Sequence, residues 1–112
     1  MHNFMRIKLL LNIAPLIWMA LPSQAQKAQE GDAIFKELCV GCHGNDGRAE
    51  TEMGKKVKAA DLTSPEVQQQ SDAELAKVVM AGQKKMPAFG DKLGYDEIKG
   101  VIAYIRQLGK HQ

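Results

Sequence analysis

Aromatic residues are scarce in this chain of 112 residues: 5% are Phe, Trp or Tyr, and the single Trp is Trp18 near the N-terminus. An excess of charge of one sign is also lacking, because 15 basic and 13 acidic side chains leave a formal net charge of +2. A nucleic-acid-binding domain usually shows a strongly basic face, so this balance argues against nucleic acid as a partner. With 25% charged and 45% apolar residues, the composition is that of one short globular domain.

Long hydrophobic runs are missing as well. A helix that crosses a membrane needs about 20 apolar residues. The longest apolar run, from Leu9 to Leu21, is shorter and is interrupted by Asn12 and Pro15. The run therefore argues against a membrane-spanning helix.

The same run has the flanks of a secretory signal peptide. It follows a basic start and precedes the small-residue triplet Ser23–Ala25, a pattern typical of a cleavable export signal. The sequence predicts that residues 1–25 are a signal peptide cleaved near Ala25, and that residues 26–112 form the mature domain in the periplasm or another exported compartment. A retained membrane anchor is the alternative.

The predicted mature chain has little with which to build a core. Its 87 residues carry 13 basic and 13 acidic side chains and no Trp. The aromatic candidates for the core are Phe35, Phe89, Tyr95 and Tyr104. A domain of this size usually needs a disulfide, a metal or a cofactor to be stable, so we expect one of these in its interior.

Two cysteines are present, and they lie in the segment Cys39–His43, which reads Cys-Val-Gly-Cys-His. A disulfide across so short a span closes almost no loop and stabilises little. A thioredoxin-like redox pair lacks its βαβ context, and a zinc site lacks a second ligand group apart from His111 near the C-terminus. The fourth interpretation is covalent haem attachment, for which C-x-x-C-H is the signature. The predicted export signal strengthens this interpretation over the other three.

The spacing of this segment suits haem chemistry. In a helix, Cys39, Cys42 and His43 stand at positions i, i+3 and i+4 and share one face. Both thiols can then add to the haem vinyl groups while the imidazole reaches the iron. Haem iron held by one imidazole leaves a sixth coordination position, which is either open or filled by another side chain.

Three methionines remain in the predicted mature chain, and a methionine is most often a flexible core residue. Met80 lies in a helical pattern, where we expect a core position, and Met53 lies in a polar segment, where a surface position is expected. Met86 lies in a loop between a polar run and Pro87, so it either fills the core or binds iron. A thioether favours reduced iron and raises the reduction potential.

Taken together, three segments resemble a known family. Cys39–His43, then Met86–Phe89, then Val101–Ile105 are similar in order and spacing to a class I mono-haem cytochrome c of bacterial type. The resemblance implies an all-α fold, the small cytochrome c fold, with four or five helices wrapped around one covalently bound haem c. It also implies that Cys39 and Cys42 carry the thioethers and that His43 and Met86 are the axial ligands of the iron.

The resemblance further implies a function. We expect a monomeric, exported one-electron carrier, not an enzyme, that shuttles electrons between larger redox proteins, membrane-bound complexes included. Two alternatives stay open: a haem-bearing subunit or module of a larger oxidoreductase, and a haem enzyme or sensor with a displaceable sixth ligand.

Two features of the family pattern are missing here. Relatives often have a Pro after the haem motif whose carbonyl accepts a hydrogen bond from the proximal imidazole, and a Trp near the haem propionates. The segment from Gly44 to Ser64 contains no Pro. A basic side chain is therefore the candidate to neutralise a propionate: Arg48, Lys55, Lys56 or Lys58. Together with Lys84 and Lys85, the lysines of this set also make a candidate positive patch for an acidic redox partner.

Periodicity and capping signals predict four helices. The first runs from about Glu30 into the haem motif, and the second follows Ser64 as a short helix through Gln70. The third begins after a capping box of Ser71 and Glu74 and ends at Gly82. The last spans about 95–109. The family resemblance implies that the first and last helices cross at close contact with a small residue against an aromatic one, and Gly31 and Phe35, facing Tyr104, are placed for that role.

Replacing Cys39 or Cys42 with Ala should weaken the covalent retention of haem, because each thiol is predicted to supply one thioether bond. The measurement is the fraction of haem that stays with the polypeptide after denaturation. If haem is released equally from the unmodified chain and from both variants, covalent attachment through this motif is wrong.

Overall fold

The computed structural model describes residues 14–19 and 23–111, and it is helical there apart from turns and an isolated β-bridge between Gln83 and Met86. The expected all-α class is confirmed, with six helices in the described residues where four or five were expected. They are α1 (Gln24–Leu38), α2 (Val40–His43), α3 (Glu52–Val57), α4 (Pro65–Gln68), α5 (Asp72–Ala81) and α6 (Tyr95–Lys110).

The predicted signal segment lies mostly outside the described residues. Of its described residues, 14–19 have no regular secondary structure and are exposed, and 23–25 belong to the start of α1. No helix in the described ranges is long and apolar enough to cross a membrane.

Helix α1 begins six residues earlier than the hydrophobic periodicity indicated, because a capping box starts it. The Ser23 hydroxyl accepts a hydrogen bond from the Gln26 backbone N–H at 3.3 Å, and the Gln26 side chain accepts one from the Ser23 N–H at 3.1 Å. The predicted cleavage site after Ala25 therefore falls inside the first turn of α1. Cleavage there would remove the N-cap residue, which contributes about 1 kcal/mol to a helix.

The first and last helices cross at very close contact. A Cβ atom built on Gly31 would lie 1.9 Å from the carbonyl oxygen of Gly100, so only glycine permits this approach. One turn further along α1, the fully buried Phe35 packs its ring 5.1 Å from that of Tyr104. Phe35 therefore faces Tyr104 as expected, whereas Gly31 meets the backbone of Gly100 rather than an aromatic ring.

The chain between α4 and α5 is tied to α6 by Arg106. Its guanidinium donates to the carbonyl oxygen of Gln68 at 2.8 Å and to that of Gln70. It also pairs with the Asp72 carboxylate at 2.9 Å. These contacts fix the start of α5 relative to α6.

Local capping signals were more accurate than the helix lengths. Ser71 and Glu74 form the predicted capping box of α5, and Gly82 is its C-cap. By contrast, α4 ends at Gln68 rather than Gln70, and α6 continues through Gly109 to Lys110. These two differences are corrections of one or two residues at helix ends, where backbone hydrogen bonds fray.

Two predicted core positions are wrong. Tyr95 is 65% exposed because it begins α6 on the solvent side, and Met80 is 44% exposed on α5. Phe35 and Phe89 are buried as predicted, and Met53 is exposed as predicted. The core cluster is otherwise aliphatic and lies between α1, α5 and α6.

Replacing Gly31 with Ala should lower the free energy of unfolding by about 1–3 kcal/mol, because the added methyl group forces the two helix backbones apart. Denaturant unfolding of the purified protein measures the change. Gly41→Ala is the matched control, since a Cβ there meets no atom within 4 Å. Equal stability of the Gly31 and Gly41 variants would contradict the close crossing.

Candidate functional site

A largely apolar cavity of about 570 Å³ lies between α1, α5 and α6. All four residues of the predicted site line it: Cys39, Cys42, His43 and Met86. The other two methionines of the predicted mature chain, Met53 and Met80, lie elsewhere on the exposed surface. The structure therefore brings the predicted set together in one place.

Cys39 and Cys42 belong to the joint between two helices. Cys39 is at once the C-cap of α1 and the N-cap of α2, in right-handed helical conformation, so the motif turns almost as a continuous helix. Both thiols are free. Burial, and secondarily the neighbouring Cys42 thiol, raises the pKa of Cys39 to about 11, so the folded chain keeps this sulfur protonated at neutral pH.

His43 is 9% exposed, and one nitrogen of its ring is already engaged. The Nδ1 atom lies 2.9 Å from the carbonyl oxygen of Ala60. Because a carbonyl can only accept, Nδ1 carries the hydrogen and Nε2 keeps its lone pair, which is the form that binds a metal. Burial lowers the pKa of His43, and the hydrogen bond to Ala60 partly offsets this effect. The ring is therefore neutral at neutral pH, as ligation requires.

Ala60 provides the hydrogen-bond acceptor for the imidazole that a proline after the haem motif often provides in relatives. Its carbonyl accepts from the imidazole without any special residue type, because every residue has a backbone oxygen. No sequence signal marks such an acceptor, so this contact could only be found in the structure.

Met86 lies in a tightly turned loop after α5. The backbones of Gln83 and Met86 exchange two hydrogen bonds, at 2.9 and 3.1 Å, around a two-residue turn. Lys84, the first residue of the turn, has a φ of 52° in the left-handed region. A Cβ atom on Gly82 would lie 2.8 Å from the Met86 carbonyl oxygen, so this glycine lets the loop fold back on the end of the helix.

The far side of the Met86 loop is held by the same helix. The backbone N–H groups of Phe89 and Gly90 donate to the carbonyl oxygens of Val79 and Met80, at 2.9 and 3.1 Å. These carbonyls lie near the end of α5. The loop is thus anchored before and after Met86, and its thioether is presented by a fixed backbone.

The charged residues around the cavity are all basic. Four lysines line it, and no aspartate or glutamate does. Two of the four adopt left-handed backbone conformations, with φ of 56° and 52°, which is uncommon for residues other than glycine. The four are Lys56, Lys58, Lys84 and Lys85. Of the predicted candidates, Arg48 and Lys55 lie outside the cavity lining.

The donor set and the cavity fit a c-type haem. A volume of about 570 Å³ lies within the range of about 300–1,000 Å³ of small-molecule and cofactor sites. Two thiols in the cavity could bond to the haem vinyl groups, and a neutral imidazole and a thioether could bind its iron. The lysines could pair with the two haem carboxylates. The zinc interpretation gains no support, because the described residues contain no group of three or more His, Cys, Asp or Glu side chains placed to hold a metal ion.

Comparison with known proteins gives a consistent result. Residues 26–105 match the family described as cytochrome c oxidase, cbb3-type, subunit III. The FixP subunit of a cbb3-type oxidase from Bradyrhizobium diazoefficiens is 37% identical over 73% of this chain and 28% of its own length. A cytochrome c6-like protein from a Nostoc species is 28% identical over 94% of this chain and 92% of its own.

A solved structure is similar as well. The c-type cytochrome KustC0563 superposes with a TM-score of 0.65 and 28% sequence identity, over 70% of this chain and 95% of that one. The chain spans about 30% of the length of the first FixP relatives it matches.

Proposed function

Because the chain belongs to the c-type cytochromes, through the family described as subunit III of cbb3-type cytochrome c oxidase, we propose that it is a one-electron carrier with a single haem c and His/Met axial ligation. The observation that carries this proposal is the convergence of Cys39, Cys42, His43 and Met86 on one cavity. Cys39 and Cys42 would hold the haem by thioether bonds. His43 Nε2 and the Met86 sulfur would be the axial ligands.

A haem held in this way supplies a reversible one-electron change at its iron. The chain would contribute two ligands whose positions are fixed by contacts within the fold. His43 is oriented by Ala60, and Met86 is held by a loop anchored on α5. The largely apolar lining would limit water around a bound haem, and together with the thioether ligand this would favour the reduced state.

The free-carrier form of the proposal is supported by the relatives named cytochrome c6. They match this chain over nine-tenths of their own lengths. The FixP relatives support the second candidate, a haem-bearing module within an oxidase complex. In either form the protein exchanges electrons with other redox proteins.

The N-terminal segment supports a proposal for where the protein works. A basic start, an apolar run and a small-residue triplet are the parts of an export signal. We propose that residues 1–25 are removed near Ala25 and that the domain of residues 26–112 works in the periplasm. N-terminal sequencing of the protein recovered from that compartment tests the cleavage position.

The four cavity lysines suggest where partners dock. Their charges surround the cavity, while the predicted mature chain is formally neutral. A local positive surface on a neutral protein attracts an acidic partner and raises the association rate at low ionic strength. We propose that electrons leave and enter through this lysine face.

Replacing Met86 with Ala should lower the reduction potential and let carbon monoxide bind the reduced protein, because the thioether ligand is lost. The shift lies within the span of about 0.8 V that axial ligands command. Redox titration and visible spectroscopy are the measurements. Met80→Ala is the matched control and should behave as the unmodified protein, which should not bind carbon monoxide rapidly. Rapid, stoichiometric binding by the unmodified protein would instead favour a haem enzyme or sensor.

Reversing the charges of Lys84 and Lys85 to Glu should remove most of the dependence of the electron-transfer rate on ionic strength. Stopped-flow reduction by an acidic redox protein across a salt series measures it. The control is a double reversal of Lys27 and Lys110, which lie outside the cavity lining and change the net charge equally. A flat salt dependence in the unmodified protein would contradict the docking surface.

A further inference from the structure

The end of α2 needs hydrogen-bond donors from elsewhere in the chain. The last carbonyl groups of a helix have no partner within it, and α2 has four residues. The carbonyl of His43 accepts from the Ala49 N–H at 2.8 Å. The carbonyls of Gly41 and Cys42 remain to be satisfied.

Thr51 satisfies both. Its hydroxyl oxygen lies 2.9 Å from the Gly41 carbonyl oxygen and 3.0 Å from that of Cys42, so the one hydroxyl hydrogen is shared between them. The same oxygen accepts from the Gly54 N–H at 2.9 Å and so caps the start of α3. One side chain therefore joins the C-terminus of α2 to the N-terminus of α3.

At Gly54, the backbone of α3 lies in direct contact with the backbone of α2. A Cβ atom there would lie 2.2 Å from the Cys42 carbonyl oxygen and 2.8 Å from that of Ala49. The first turn of α3 thus rests directly on the backbone that carries the haem-binding motif.

The other end of α3 leads to the acceptor of the histidine ring. The helix ends at Val57, its C-cap Lys58 has a left-handed conformation, and the Ala59 N–H donates to the Gly54 carbonyl at 2.9 Å. The next residue is Ala60, whose carbonyl accepts from His43 Nδ1 at 2.9 Å. Residues 51–60 therefore contact the haem-binding segment at two points, its backbone through Thr51 and the His43 ring through Ala60.

We propose that Thr51 is a positioning residue for His43: it locks α3 to α2 and thereby sets the hydrogen bond between Ala60 and the imidazole. This inference rests on the proposed role of His43 as an axial ligand. A hydrogen-bond acceptor at Nδ1 raises the basicity of Nε2, the nitrogen proposed to bind the iron. A looser α3 weakens that hydrogen bond, makes His43 a poorer donor to oxidised iron and raises the reduction potential.

The test compares holoprotein variants at one position. Thr51→Ala removes the hydroxyl and should shift the midpoint potential upward. It should also move the NMR signal of the His43 ring N–H toward that of a weaker hydrogen bond and speed its exchange with solvent. Thr51→Ser keeps the hydroxyl and should restore all three readouts.

Ser64→Ala is the control for a lost helix cap. The Ser64 hydroxyl caps α4 by accepting from the Val67 N–H, and Ser64 has no hydrogen bond to α2 in the described residues. A merely structural role for Thr51 predicts that Thr51→Ala and Ser64→Ala both lose stability without any change in potential or in the His43 signal, and that result overturns the proposal. An absorption spectrum that lacks His/Met ligation in the unmodified protein would instead overturn the proposed function.

A measurement on the unmodified protein covers the case in which Thr51→Ala yields no holoprotein. In the reduced state, the Thr51 hydroxyl proton should be visible by NMR and exchange slowly, because two carbonyls hold it. A Thr51 hydroxyl that exchanges as fast as that of an exposed threonine would overturn the proposal.

Discussion

The hydrogen bond from the His43 ring to the Ala60 carbonyl is the contact on which the geometry of the site depends. It fixes which ring nitrogen carries the hydrogen, and so which nitrogen faces the cavity with a free lone pair. Burial lowers the pKa of the same ring and keeps it neutral. Two helices bring its partners together: α2 carries the histidine, and the segment that follows α3 carries the acceptor.

The parts of the fold that could be predicted are those governed by local chemistry. The haem motif, the capping box of α5 and the glycine at its end each depend on residues a few positions apart, and such signals can be read from the sequence. The haem motif itself indicated the cofactor, and the family resemblance, which rests on three short segments, added the all-α class and the axial role of Met86. The match of residues 26–105 to a cytochrome family confirms that resemblance.

The parts that could not be predicted depend on contacts between distant segments. Helix α3 has six residues with Gly54 near its centre, so its intrinsic helix propensity is poor and its stability comes from packing on α2. Thr51 followed by the acidic Glu52 was the signal that could have indicated its start. Met80 is exposed because of the orientation of α5 about its own axis. Periodicity alone did not fix that orientation, because the residues next to Met80 in the sequence are also apolar.

Close contact between α1 and α6 has a consequence for the order of events during biosynthesis. Helix α1 leaves the ribosome first, yet the partner that meets Gly31 is the last helix made. Until α6 is made, the face of α1 that packs against it in the folded chain has no partner. Burial raises the pKa of Cys39 in the folded chain, so we expect its sulfur to ionise and react more readily before the two ends of the chain meet.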